Sequence, residues 1–221
     1  MATPQLVSQV GDVETVANAS TEGNYQNLIG TQRQQQLVTN WLSKRYRVAD
    51  EAIDMLVSAT YLTAKETKLD PLLILSVIAI ESRFNPFSES PVGAQGLMQV
   101  MSKVHHEKFS DLGGIKAALN PVANIKVGAM ILKEYVNSAG SVEAGLKRYV
   151  GAADMETDGG YGGLVMAEYK RLKDVAAGKS VSIYSTTAKP SMISRPQEVN
   201  DKRPDEITQQ ASMNTDQIAG I

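Results

Sequence analysis

Ile53, Leu56, Val57, Thr60, Tyr61 and Ala64 fall at three- and four-residue steps within the stretch that opens at Gln36, and this spacing predicts an amphipathic helix. Asp70-Pro71 is a helix start, an acceptor side chain at the N-cap followed by the residue best tolerated at the first helical position. From Leu72 to Ile80 every residue but Ser76 is apolar, so this second helix has no polar face and is expected inside other helices. Asn85-Pro86 ends it. The pattern repeats at Asn120-Pro121, with Ile125, Met130, Ile131 and Leu132 as apolar surface and Gly140 past the end. "SVEAGLKRYVG" and "GYGGLVMAEYKRLKDVAAG" predict two more helices, the second after the turn at Asp158-Gly159-Gly160. No stretch alternates as a strand does, and an all-α domain is expected over residues 36–178. Residues 1–35, polar and aperiodic, read as a mobile N-terminal arm. Residues 179–221, rich in Ser and Thr and broken by prolines, read as a disordered tail.

Composition narrows the classes. A hydrophobic content of 43% in 221 residues is enough for one sizeable core. A formal charge of -2 gives no overall electrostatic footprint for nucleic acid, and basic and acidic residues balance over 36–178, which suggests a solvating surface rather than a docking patch. Absence of cysteine excludes disulfides, thiolate metal sites and a cysteine nucleophile. "VHHEKF" lacks the second histidine of a zinc helix, Ser110 standing where it would be, and neither a P-loop nor a G-x-S-x-G sequence occurs. No metal or cofactor is expected. The longest apolar run is too short to span a bilayer, and "MATPQLVSQV" has neither the basic start nor the apolar core of a secretory signal.

The apolar run ends on a glutamate. Glu81 sits about ten residues into the buried helix, where burial and the negative end of the helix dipole both favour the protonated carboxyl group. A protonated acid in a partly apolar cleft is what the leaving oxygen of a glycosidic bond requires. The plain alternative is a helix-end carboxylate in solvent or paired with Arg83.

The continuation "ESRFNPFSESPVGAQGLMQV" resembles the lytic transglycosylases of the soluble Slt type, a branch of the lysozyme-like superfamily. Glu81, Ser82, Asn85, Pro86, Gly93, Ala94, Gly96, Leu97, Met98 and Gln99 match the family pattern, and the likeness runs from about Leu69 to Leu172 through "NPVANIKVGAMIL" and "GLKRYVGA". It implies a lysozyme-like helical domain in which Glu81 is the lone catalytic acid and base. The reaction implied is cleavage of the β-1,4 bond between N-acetylmuramic acid and N-acetylglucosamine in peptidoglycan, with formation of 1,6-anhydromuramic acid. Ser82 is then placed to bond the carboxylate or the substrate, Met98 and Gln99 to line the sugar cleft, and Tyr149 to point its hydroxyl at the glutamate or substrate. Gly93 and Gly96 would permit close approach of the loop to the sugar, and Asn124 would be structural. Val150 replaces the family Asn, and Ser102 replaces a proline, a change expected to loosen that turn.

Activity is expected to fall as pH rises past the point at which Glu81 loses its proton. Two alternatives remain at this level. One is a goose-type-lysozyme-like hydrolase drawing a second carboxylate from Glu89, Asp154, Glu156 or Asp158. The other is a non-catalytic peptidoglycan-binding component of a secretion or wall-remodelling assembly. The substrate implies a periplasmic or wall-associated protein, and the two tails offer segments through which protein partners are recruited.

Overall fold

The computed structural model describes residues 31–184, and among them the chain is mostly helical. Helix α1 covers 31–46, α2 Asp50–Thr67, α3 Pro71–Glu81, α4 His106–Phe109, α5 Pro121–Ala139, α6 Val142–Tyr149 and α7 Tyr161–Ala176. Two short 3-10 turns, Ser110–Leu112 and Ile115–Leu119, join α4 to α5.

The expected start signals act as read. Asp70 accepts from the Leu72 amide at 2.8 Å, and Asn120 accepts from the amides of Val122 and Ala123 at 3.0 and 3.1 Å. Helix α3 is buried from Leu72 to Ala79, packed against α7 and α2, while α5 packs against α6 and α2. Within that buried stretch of α3 the one polar side chain is satisfied, because the Ser76 hydroxyl donates to the Leu72 carbonyl at 2.6 Å within the same helix. All six residues of the predicted α2 face are buried.

Four features depart from expectation. The stretch from Gln36 to Asp70 holds two helices, broken after Tyr46 at Arg47, which takes a left-handed φ of 57°. Helical structure is already present at residues 31–35, inside the stretch read as an arm; residues 1–30 lie outside those described. The chain after Lys179 packs on α1 as far as residue 184. There the Trp41 indole donates to the Val181 carbonyl at 2.9 Å and Arg45 Nη1 to the Ile183 carbonyl at 3.0 Å. The rest of the predicted tail, 185–221, lies outside the described residues. Finally, a two-stranded antiparallel hairpin pairs β1 (Ala94–Gln95) with β2 (Val100–Met101), Ala94 opposite Met101 and Gln95 opposite Val100. Strands of two residues are too short to show alternation.

A buried carboxylate locks α1 to α7. Glu168, fully buried, accepts from Arg45 Nε at 3.0 Å and Nη2 at 3.2 Å, from the Tyr46 hydroxyl at 2.8 Å and from Arg171 at 2.7 Å. Burial, and then the Glu168 charge, push the Tyr46 hydroxyl far above its ordinary range, so it stays a donor. Removing one partner from such a node typically costs about 3–5 kcal/mol.

Candidate active site

Glu81 is the last residue of α3, half-buried where the helix leaves the core. The chain must turn sharply there, and it does so with two consecutive left-handed residues, Arg83 at φ 55° and Phe84 at φ 65°. Neither is glycine, so both carry strain that the surroundings must hold in place. Phe84 supplies the anchor: it is 2% exposed and packs its ring against Tyr46 with centroids 5.0 Å apart. Ser82 closes the helix, its amide and hydroxyl both donating to the Ile78 carbonyl at 3.1 Å. The hydroxyl expected to donate to the carboxylate or substrate thus donates to the helix backbone.

The group that meets Glu81 comes from α7. The Tyr161 hydroxyl donates to Glu81 Oε1 at 2.8 Å, across 80 positions of sequence. Asp158 sets Tyr161 in place by accepting from the amides of Gly160 at 2.9 Å and Gly162 at 2.7 Å, which turns the chain into the first turn of α7. A Cβ on Gly162 would lie 2.7 Å from Asp158 Oδ2, so the carboxylate needs a glycine there. Sequence reading took this run as a turn before a helix and left Tyr161 unassigned. Its signal was a tyrosine flanked on both sides by paired glycines.

The loop that carries the family motif is stapled to α5 by Asn124. This side chain is fully buried; its Oδ1 accepts from the Met98 amide at 2.8 Å, and its Nδ2 donates to the carbonyls of Gln95 at 2.9 Å and Ala118 at 2.7 Å. Gly96 lies against the amide, at φ 77°, and a Cβ there would sit 2.3 Å from Asn124 Nδ2 and 2.6 Å from the Ala118 carbonyl oxygen. Two expected cleft residues prove to belong to this scaffold. Met98 is wholly buried and its side chain packs on Gly128 of α5, so it does not line the cleft. Gln99, 7% exposed and left-handed at φ 47°, donates its carboxamide to the carbonyls of Ser88 and Gly96, both at 2.9 Å, rather than presenting that nitrogen to a sugar. Tyr149 donates to the Met98 carbonyl at 2.8 Å, and the Tyr161 hydroxyl donates to the glutamate.

The two departures from the family pattern are both accommodated. The Ser102 hydroxyl donates to Gln95 Oε1 at 2.6 Å and the Gln95 amide nitrogen to Glu89 Oε1 at 2.8 Å, so Ser102 ties the hairpin instead of loosening it. Val150 is partly buried against the core. Of the four acidic residues considered as second carboxylates, Glu89 is held by Gln95 and Asp158 by two backbone amides, while Asp154 and Glu156 are exposed between α6 and α7. Among the described residues no group of three or more His, Asp and Glu is gathered as metal ligands. No described helix is long and apolar enough to cross a membrane.

A mostly helical body with one small hairpin, whose buried helix ends on a glutamate, supports a lysozyme-like domain. Residues 60–154 match the family of the transglycosylase SLT domain, which shows the resemblance to soluble lytic transglycosylases over the part of the chain that holds Glu81. The chain is also 37% identical over 86 residues to the transglycosylase of Enterobacteria phage PRD1, a match covering 39% of this chain and 31% of that relative. The chain therefore spans about a third of the relative's length, and Tyr161 lies beyond the residues the family model matches.

Proposed function

We propose that the protein is a peptidoglycan lytic transglycosylase that cleaves the β-1,4 bond between N-acetylmuramic acid and N-acetylglucosamine and leaves a 1,6-anhydromuramic end. The observation that carries the reading is the half-buried Glu81 carboxyl group at the end of α3, whose Oε1 accepts from the Tyr161 hydroxyl at 2.8 Å. In this mechanism Glu81 gives its proton to the leaving O4 as the C1–O4 bond breaks. The carboxylate then takes the proton of the muramyl 6-hydroxyl as O6 bonds to C1, so one residue serves as acid and then base. Well-oriented internal nucleophiles reach effective molarities of about 10⁵–10⁸ M, enough to outcompete water in a cleft that holds the ring correctly. Such a substrate places the protein at the cell wall or in the periplasm. The second carboxylate that a hydrolase needs has less support, because two of its four candidates are already engaged by neighbours.

Digestion of purified peptidoglycan followed by mass spectrometry tests the reading. Products lighter by one water than reducing-end muropeptides are expected, and Glu81→Gln should lower their rate by about 10²–10⁴. Predominantly reducing ends would make the domain a hydrolase. Equal digestion by Glu81→Gln would remove Glu81 as the acid, and no soluble product from the intact protein would leave a binding module.

A further inference from the structure

The strained turn after Glu81 is held by residues that the proposed chemistry does not use. Phe84, the second of its two left-handed residues, packs on the Tyr46 ring with centroids 5.0 Å apart, and the Tyr46 hydroxyl donates to Glu168 Oε1 at 2.8 Å. Glu168 belongs to α7, whose first residue, Tyr161, donates to Glu81 Oε1 at 2.8 Å. These contacts close a circuit that runs from Glu81 through the turn, Phe84, Tyr46, Glu168 and α7 to Tyr161, and so back to Glu81. Tyr161 and Glu168 are both buried and are seven residues apart, two helical turns, so they share one face of α7 and stand about 10 Å apart along it.

Arg45 stiffens the circuit. Its Nε and Nη2 donate to Oε1 and Oε2 of Glu168 at 3.0 and 3.2 Å, a planar fork that fixes the orientation of the carboxylate and with it the position at which the Tyr46 hydroxyl is held. A buried ionic cluster is a weak source of stability, because apolar residues of similar volume often serve as well. Glu81 has a use for the single geometry that such a cluster imposes. Left-handed residues other than glycine persist only where their surroundings over-determine them, and a reacting group misplaced by about 1 Å can lose about 10²-fold in rate. We infer that Glu168 and Tyr46 are positioning residues for the acid, holding the turn and α7 in the register that brings the Tyr161 hydroxyl to Glu81. The inference rests on Glu81 being the acid of the proposed reaction, and the two residues act through Phe84 and Tyr161 rather than on substrate.

The test uses the full chain with Tyr46→Phe, Tyr161→Phe and the double variant, measuring kcat and KM on purified glycan strands well below every Tm. Tyr46→Phe keeps the ring on Phe84 and removes the bond to Glu168. It should lower kcat about threefold to tenfold with KM unchanged. In the Tyr161→Phe background the same change should lower kcat less than about twofold, since the contact it positions is already gone. A role in stability alone gives a lower Tm with kcat unchanged, or kcat losses that multiply in the double variant, and either result overturns the inference. Glu168→Gln attacks the circuit from its other end and should lower kcat at least as much; if it does not fold, Tyr46→Phe decides alone. A second readout needs no activity: the carboxyl-carbon NMR resonance of Glu81, assigned by its loss in Glu81→Gln. Tyr161→Phe should move it, and Tyr46→Phe should move it the same way by a smaller amount. A resonance left in place by Tyr46→Phe overturns the inference. If the intact protein cuts no glycan, the proposed reaction fails and this resonance alone decides the positioning role.

Discussion

The motif loop and the corner where α3 meets α7 form two walls of the domain built on different principles. On one side, residues 93–102 are tied into the protein: Asn124 holds the Met98 amide and the Gln95 carbonyl, Tyr149 donates to the Met98 carbonyl, and Gln99 donates to two carbonyls. On the other, where α3 meets α7, the Tyr161 hydroxyl reaches the carboxyl group from a helix whose first turn is set by Asp158. The first wall is bonded mainly to the protein itself, and the second holds the residue proposed as the acid. A residue belonging to the recognisable motif is therefore not thereby a substrate contact.

The largest effect that would break this contrast is on stability. Asn124→Ala leaves the Met98 amide and two carbonyls unpaired inside the protein, and should cost about 3–5 kcal/mol, a fall in Tm of roughly 10 °C or more for a domain of this size. Gly96→Ala should do comparable harm, since its Cβ would meet the same amide and the Ala118 backbone at a φ of 77°. Thermal unfolding of either variant at the parent Tm would mean that the loop is not stapled as described.

A smaller effect separates the two tyrosines. Tyr161→Phe removes the donor to Glu81 and should lower kcat by about tenfold, with a Tm change of about 1 kcal/mol equivalent. Tyr149→Phe strips a buried carbonyl of its partner and should reverse the balance, costing about 1–3 kcal/mol of stability with kcat reduced less. Steady-state kinetics on defined glycan strands beside melting curves measure both. A Tyr149→Phe variant with the deeper kcat loss would return the tyrosine role to the residue the motif suggested.

Met98→Leu tests the scaffold more gently. Because Met98 is core rather than cleft, this near-isosteric change should cost less than about 1.5 kcal/mol and leave KM unchanged. A raised KM at unchanged Tm would put the side chain in contact with sugar.

Why the two walls were unequally legible follows from the range of the interactions that make them. Asp70, Asn120, Ser141 and Gly140 act within a few residues, so the starts of α3, α5 and α6 and the end of α5 are written locally, and Glu81 stands out as the polar end of an apolar run. The break at Arg47 is a left-handed turn without glycine, which no local preference announces, and α1 was merged with α2 as a result. Tyr161 and Glu81 meet only because α7 packs along α3, and a contact of that sequence separation has no local signature. Motif spacing placed Gly96, Met98, Gln99 and Tyr149 in one neighbourhood but could not say which way their polar atoms face. Rigid loops require inward-facing polar groups, and the same residue types serve either role.

The smallest predicted effect concerns the far end of the α3/α7 seam. There Tyr169 donates to Asp70 Oδ2, while Oδ1 of the same carboxylate caps α3, so one side chain both starts the helix that ends at Glu81 and holds it to α7. Burial, and then the hydrogen bond and charge of Asp70, push the Tyr169 hydroxyl up to about 12, and burial followed by the Asp70 charge does the same for Tyr61. A hydroxyl raised above its ordinary value of 10.0 contributes stability that is fully present below pH 10.0 and is lost as pH rises through about 12. Because Tyr169 is partly exposed, its share is discounted to less than about 1 kcal/mol. Denaturant midpoints taken across this range should decline, and Tyr169→Phe should flatten part of the decline while lowering the midpoint slightly at neutral pH. A decline of the same slope in Tyr169→Phe would show that the Asp70 end of the seam does not titrate with the fold, leaving Tyr161 as the tyrosine through which α7 governs Glu81.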